Sequence, residues 1–149
     1  MSNSLHRHCC ATLSLFAFAL IFSGFVWATE SVTADDQNEF MATPSGLKYK
    51  ILRKGSGPKP KASDTVTVNY RGWLDNGKEF DSSYKRGKPL TFALNRVIPG
   101  WTEGMQLVGK GGMIELEIPS ELGYGARGAG RDIPPNSRLH FTVELIDIK

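Results

Sequence analysis

The chain has 149 residues, 40% apolar and 22% charged, the composition of an ordinary globular protein with room for one domain and a short extension. Its formal net charge of +3 comes from basic residues spread along the chain, with no clustered basic stripe, which argues against a nucleic-acid partner. Sixteen Gly and eight Pro imply many tight connections and a sheet-rich fold.

Residues 1–8 are short and polar and include Arg7. Residues 9–22 are apolar, Ser23-Gly24 breaks the run, and Val26 and Ala28 suit the specificity positions of a signal-peptidase site. Residues 1–28 are therefore expected to be a signal peptide cut between Ala28 and Thr29, sending the product to the periplasm or the medium with no membrane attachment. The stretch from Cys9 to Ala28 is also about long enough to span a bilayer, so an uncleaved inner-membrane anchor is the alternative. Both cysteines, Cys9 and Cys10, lie in this segment, so the cleaved chain has no structural disulfide. Cleavage removes Arg7 alone among the charges and leaves 17 Lys and Arg against 15 Asp and Glu, a balance too even to indicate a partner.

Residues 29–45 are rich in Thr, Ser, Asp, Asn and Glu and read as a flexible linker, with Glu39-Phe40-Met41-Ala42 at most a short turn. From Gly46 the pattern becomes that of a domain running to Lys149. Leu47, Tyr49 and Ile51 alternate with Lys48, Lys50 and Leu52, a strand. The segment from Lys54 to Pro60 is a Gly- and Pro-rich loop. In a second strand Val66, Val68 and Tyr70 share one face and Thr65, Thr67 and Asn69 the other. Asp75-Asn76-Gly77-Lys78 is a turn, because Asn-Gly tolerates positive φ. Leu90, Phe92 and Leu94 alternate in a third strand. The one good helix signal follows: Pro99 suits the first turn, Glu103 the positive N-terminal end, and Gly109 a C-terminal stop. Ile114, Leu116 and Ile118 alternate with Glu115 and Glu117 in a half-buried strand. A Gly-rich loop over 123–132 ends in Ile133-Pro134-Pro135, and Leu139, Phe141, Val143 and Leu145 form the closing strand. The fold class expected is α+β: a twisted antiparallel sheet of about five strands wrapped on one short helix, with Trp101 and Met105 on the helix face turned to the sheet.

Common catalytic equipment is missing from this pattern. There is no Gly-x-Ser-x-Gly, Walker or His-Glu-x-x-His motif. His6 and His8 lie in the leader, and His140 falls on the strand face opposite Leu139 and Phe141. No cofactor and no metal are expected. What remains is a set of aromatics at strand ends and loops: Tyr70, Phe80, Phe92, Trp101, Tyr124 and Phe141. Phe92 and Phe141 suit plain core as well as a pocket. Trp101 suits a cavity floor, and Tyr124, in a Gly-rich loop with little core to join, suits a hydroxyl donor over an apolar pocket.

The segments Val68-Asn69-Tyr70-Arg71-Gly72, Gly77-Lys78-Glu79-Phe80-Asp81-Ser82-Ser83, Val97-Ile98-Pro99-Gly100-Trp101-Thr102-Glu103-Gly104, Leu122-Gly123-Tyr124-Gly125 and Ile133-Pro134-Pro135-Asn136 carry a specific likeness. In order and near-spacing they resemble the FK506-binding-protein (FKBP) family of prolyl isomerases, over about Leu47 to Lys149. With the leader, the chain is similar to the bacterial secreted, macrophage-infectivity-potentiator-like branch. The resemblance implies a peptidyl-prolyl cis/trans isomerase acting on proline-containing unfolded or partly folded polypeptides, with macrolides as candidate inhibitors. It also implies a pocket in which Tyr70, Phe80, Asp81, Trp101, Tyr124 and Phe141 carry the activity. Phe92, Val97, Ile98 and Ile133 would complete its substrate-binding wall, with the Ile98 N–H and the Tyr124 hydroxyl on the peptide's carbonyls. Arg86 is counted with these substrate-binding residues and matches the position that joins Asp81 and Tyr70 in a polar network, while a turn-capping role for Asp81 before Ser82-Ser83 stays open. Leu90 and Ala129 depart from the family's best-known members, and the stretch from Phe92 to Trp101 is about two residues short, which bears on substrate preference and drug affinity. A non-catalytic binding module or holdase for proline-containing segments is the rival class.

Overall fold

The computed structural model describes residues 39–149, so the expected leader at 1–28 and the first part of the expected linker, 29–38, lie outside the described residues. Seven strands pair antiparallel in one sheet: β1 (Met41–Ala42), β2 (Lys48–Arg53), β3 (Thr65–Leu74), β4 (Glu79–Ser82), β5 (Leu90–Ala93), β6 (Met113–Ile118) and β7 (Leu139–Ile148). Their order is β1-β2-β6-β7-β3-β4, with β5 also on β3. Two α-helices accompany them, the single turn α1 (Ser83–Arg86) and α2 (Pro99–Met105).

The α+β class is as expected, but the sheet has seven strands rather than five. β1 and β4 escape a reading by alternation because β1 is two residues long and β4 is interrupted by a bulge. The expected linker is also too long. Met41 pairs with Tyr49 and Ala42 with Lys48, and Thr43 N–H donates to Leu47 O at 2.8 Å, so residues 41–45 close a hairpin onto β2. Ser45 then donates to Glu103 on α2 at 2.7 Å.

The core lies on one face of the sheet, as the period-two patterns require. Val66, Val68 and Tyr70 of β3, Ile114, Leu116 and Ile118 of β6, and Leu139, Phe141, Val143 and Leu145 of β7 are all buried. The opposite face carries exposed ion pairs such as Arg53–Glu144 at 2.5 Å and Arg71–Glu79 at 2.7 Å. Bulges explain two of the apolar residues left outside. Leu52 is skipped between the Ile51–Ile114 and Arg53–Met113 pairs, and Ile146 between Leu145–Val68 and Asp147–Thr67, and both are exposed.

Helix α2 covers this face, with Trp101 and Met105 buried against it. Pro99 occupies its first turn, where a missing N–H costs nothing. The helix ends at Met105, four residues before the expected stop at Gly109. Gly109 instead lies where the chain crosses the 55–57 loop so closely that a Cβ there would sit 2.6 Å from Gly57 O. Gly100 and Gly104, one turn apart, bring α2 onto β6. A Cβ on Gly100 would lie 2.5 Å from Ile118 Cγ2, and one on Gly104 would lie 2.7 Å from Leu116 Cδ2.

Gly104 sets two effects against each other. An exposed helical Gly→Ala change stabilises by about 0.5–1 kcal/mol, whereas overpacking a filled core costs about 1–3 kcal/mol. Leu116 is fully buried and an added Cβ would lie 2.7 and 2.8 Å from its two methyl carbons, so Gly104→Ala is expected to lower the urea midpoint. An unchanged or raised midpoint would show that the helix-to-sheet contact yields.

Candidate active site

Strand β3 has two partners along one edge. β5 pairs with Thr65 to Val68 and β4 with Arg71 to Trp73, leaving Asn69 and Tyr70 facing a gap in the ladder. A buried backbone N–H without a partner is costly. Here the fully buried Ser83 hydroxyl accepts the Tyr70 N–H at 2.8 Å and itself donates to Asn69 Oδ1 at 3.2 Å. The gap holds Tyr70 at the boundary between core and cavity.

Strand β4 adds a second irregularity. Asp81 pairs with Gly72 and Glu79 with Trp73, so Phe80 is an unpaired extra residue. Consecutive side chains of a regular strand point to opposite faces. The bulge sets Phe80 and Asp81 on the same cavity. Room for the Phe80 ring exists because residue 72 is glycine: a Cβ there would meet Phe141 at 2.6 Å and Phe80 at 2.7 Å.

The cavity measures about 760 Å³ and opens to solvent. Trp101, 5% exposed, forms its floor. The indole centroid lies 5.1 Å from Phe141 and 5.3 Å from Tyr70, both edge-on, and 5.4 Å from Phe92. Phe80 stands edge-on to Phe141 at 5.4 Å. These edge-to-face contacts fix ring orientations as well as burying area. Val97, Ile98 and Ile133 complete the apolar wall. Ile98 caps α2: its carbonyl accepts from Trp101 N–H at 2.9 Å, while its own N–H takes no partner among the described residues.

Asp81 is the polar side of this wall. It accepts hydrogen bonds from the Tyr70 hydroxyl and from Arg86, and Arg86 Nη2 reaches the Tyr70 hydroxyl at 2.7 Å. The Ser82 N–H also donates to Asp81 at 2.8 Å, so the turn-capping contact and the network coexist on one carboxylate. Burial pushes the Asp81 carboxyl up, but the hydrogen bonds from Tyr70 and Arg86 outweigh it and leave the pKa below the usual aspartate value. Burial, then the bond to Asp81, raises the Tyr70 hydroxyl, and burial with the Asp81 charge raises that of Tyr124. Both phenols therefore stay protonated donors at neutral pH.

All the expected pocket residues except Arg86 line the cavity. Arg86 stands behind the wall, over the Tyr70 ring and bonded to Asp81, and so braces the site instead of meeting its contents. Tyr124 is 40% exposed at the mouth. Leu90 and Ala129, the two departures, also line the cavity, together with Arg96, Gly130 and Asp132, which sequence reasoning missed. Arg96 directly precedes Val97-Ile98, and Asp132 directly precedes Ile133, so neighbour positions to the expected wall were the only available signal. His140 belongs elsewhere: it bonds Asp75 at 2.6 Å and stacks on Trp73 with centroids 5.7 Å apart.

A lowered folded-state pKa makes the Asp81 network a stabilising feature at pH values above the unfolded value of about 3.9, lost as pH falls through the folded value. Asp81→Asn is accordingly expected to lower the urea midpoint at neutral pH and to approach wild type as pH falls and the carboxyl takes up its proton. A pH-independent difference between the two would exclude the charge as the cause.

The sequence profile described as FKBP-type peptidyl-prolyl cis-trans isomerase matches residues 57–146. FkpA of Escherichia coli strain K12, described as an FKBP-type peptidyl-prolyl cis-trans isomerase, is 58% identical over 105 residues, which are 70% of this chain and 38% of that protein. The outer membrane protein MIP of Legionella longbeachae is 52% identical over 106 residues, 71% of this chain and 46% of that one. The crystal structure of Escherichia coli FkpA superimposes with a TM-score of 0.73 at 53% identity, covering 77% of this chain and 54% of that one. The chain thus spans less than half the length of the curated relatives it matches. With the profile across the whole cavity and this fold agreement, the chain belongs to the FKBP-type peptidyl-prolyl cis-trans isomerase family, in its FkpA and MIP branch.

Proposed function

We propose that the protein accelerates cis/trans rotation of X–Pro bonds in exported polypeptides during their folding, without a covalent intermediate. The observation that carries this reading is the apolar cavity floored by Trp101 and bordered by a backbone donor with no partner among the described residues, the Ile98 N–H. Partial double-bond character gives the amide a rotation barrier of roughly 18–20 kcal/mol, and the uncatalysed X–Pro reaction takes about 10–100 s. Rotation breaks the conjugation, so the twisted amide carries less charge separation than the planar one. A water-poor aromatic site favours the twisted state over the ground state, which is what lowers a barrier. Phe80, Phe92 and Trp101 are placed to hold the proline ring. The Ile98 N–H and the Tyr124 hydroxyl would fix the flanking chain, so that one side turns against a held partner.

No proton moves in this reaction, so Asp81 needs no raised pKa, in keeping with its lowered one. Its carboxylate instead orients Tyr70 and turns the polar edge of the wall toward Arg86. Substrates are proline-containing unfolded or partly folded chains, and macrolides that mimic such a segment are candidate inhibitors.

Export through residues 1–28 is part of the proposal, supported by the leader-like sequence and by the similarity to an outer membrane protein MIP. No helix among the described residues is long and apolar enough to cross a membrane.

The purified protein is expected to speed the slow phase of a proline-limited refolding reaction, and an unchanged rate at micromolar protein would end the enzyme reading. Suppressed aggregation with no change in that phase would instead identify a holdase. Trp101→Ala should remove most of the activity and Tyr124→Phe clearly less. Since Trp→Ala in a core costs about 3–5 kcal/mol, circular dichroism must show the variant folded. Equal rates in wild type and Trp101→Ala would place the site elsewhere. The exported product should begin at Thr29 by intact mass, whereas a mass retaining residues 1–28 would identify an anchored form.

A further inference from the structure

Two carboxylates border the apolar cavity, and each is paired with a cation from outside its lining. Asp81 is held by Arg86 and Tyr70, and Asp132 pairs with Lys78 Nζ at 3.0 Å. The remaining charged side chain in the lining is Arg96. It closes the 3-10 turn Leu94–Arg96 and stands two residues before Ile98. Arg96 is exposed, and no carboxylate among the described residues lies within ion-pair distance of it. The mouth therefore keeps one uncompensated guanidinium beside the backbone donor proposed to hold the peptide.

An exposed ion pair contributes little to stability. A fixed charge at the rim of a low-dielectric cleft nonetheless raises the local concentration of opposite charge and repels its own sign. We infer that the site selects X–Pro segments carrying an acidic residue next to the proline and disfavours Lys or Arg there, with Arg96 as the specificity-determining residue. The inference rests on the isomerase reading. Arg96 acts on which chain enters and stays, while the aromatic wall acts on the rotation of whatever is bound.

The test measures cis/trans exchange by NMR in blocked peptides acetyl-Ala-Xaa-Pro-Phe-amide and acetyl-Ala-Leu-Pro-Xaa-amide, with Xaa as Glu, Leu or Lys. In at least one series kcat/KM for Glu should exceed that for Lys by roughly three- to tenfold at low ionic strength, and the ratio should fall toward one at about 0.5 M salt. Arg96→Gln should bring the ratio close to one. Lys78→Ala, which frees the Asp132 charge, should also lower it. Lys59→Ala, the same net-charge change outside the cavity lining, should leave it in place. A wild-type ratio near one in both series, or one that survives Arg96→Gln, overturns the inference while leaving the isomerase reading intact. Failure to accelerate even the Leu peptides overturns both.

Discussion

Trp101 ties helix α2 to strands β3 and β7, held edge-on by Tyr70 and Phe141 and tilted against Phe92. A seven-residue helix is too short to cover a seven-stranded sheet. The apolar face beyond its reach has to be closed by loops or left as a cavity. Gly100 and Gly104 draw the helix against β6, so the space is left on the β3 side, above the indole. Without those close approaches the helix would ride higher, and the indole would lose its contacts to the β3 and β7 aromatics.

The site sits where the sheet is least regular. The ladder gap at Asn69 and Tyr70 and the bulge at Phe80 both fall on the cavity. Each defect has a local remedy. Ser83 satisfies the Tyr70 N–H in the gap, and Gly72 gives the ring of the bulge residue room. A perfectly paired β4 would have turned either Phe80 or Asp81 away from the cavity. Regular pairing builds the platform, and the departures from it orient the side chains.

The charges divide by distance from the cavity. Arg86 pairs with Asp81 and Lys78 with Asp132, so each carboxylate in the lining has a cation from outside it. Arg96 has no such counterweight at the mouth. The apolar interior suits the proposed rotation of any X–Pro bond, and the rim is where a preference among chains can be built.

Much of this was readable from residues alone. Alternation in β3, β6 and β7 is long enough to show its period and named the buried face correctly. Pro99 marked the start of α2, and the resemblance to the FKBP family, carried by several short segments in register, implied which side chains share the pocket. Tertiary structure alone decided the rest. β1 and β4 are strands because a longer neighbour offers them hydrogen bonds, not because of their own pattern. Arg86 joins the expected network without lining the cavity, and Arg96 and Asp132 emerged at the mouth, because facing the cavity depends on how distant loops meet. Local sequence sets which face of an element is apolar; which charges that face finally meets depends on contacts between residues far apart in the chain, such as Lys78 with Asp132.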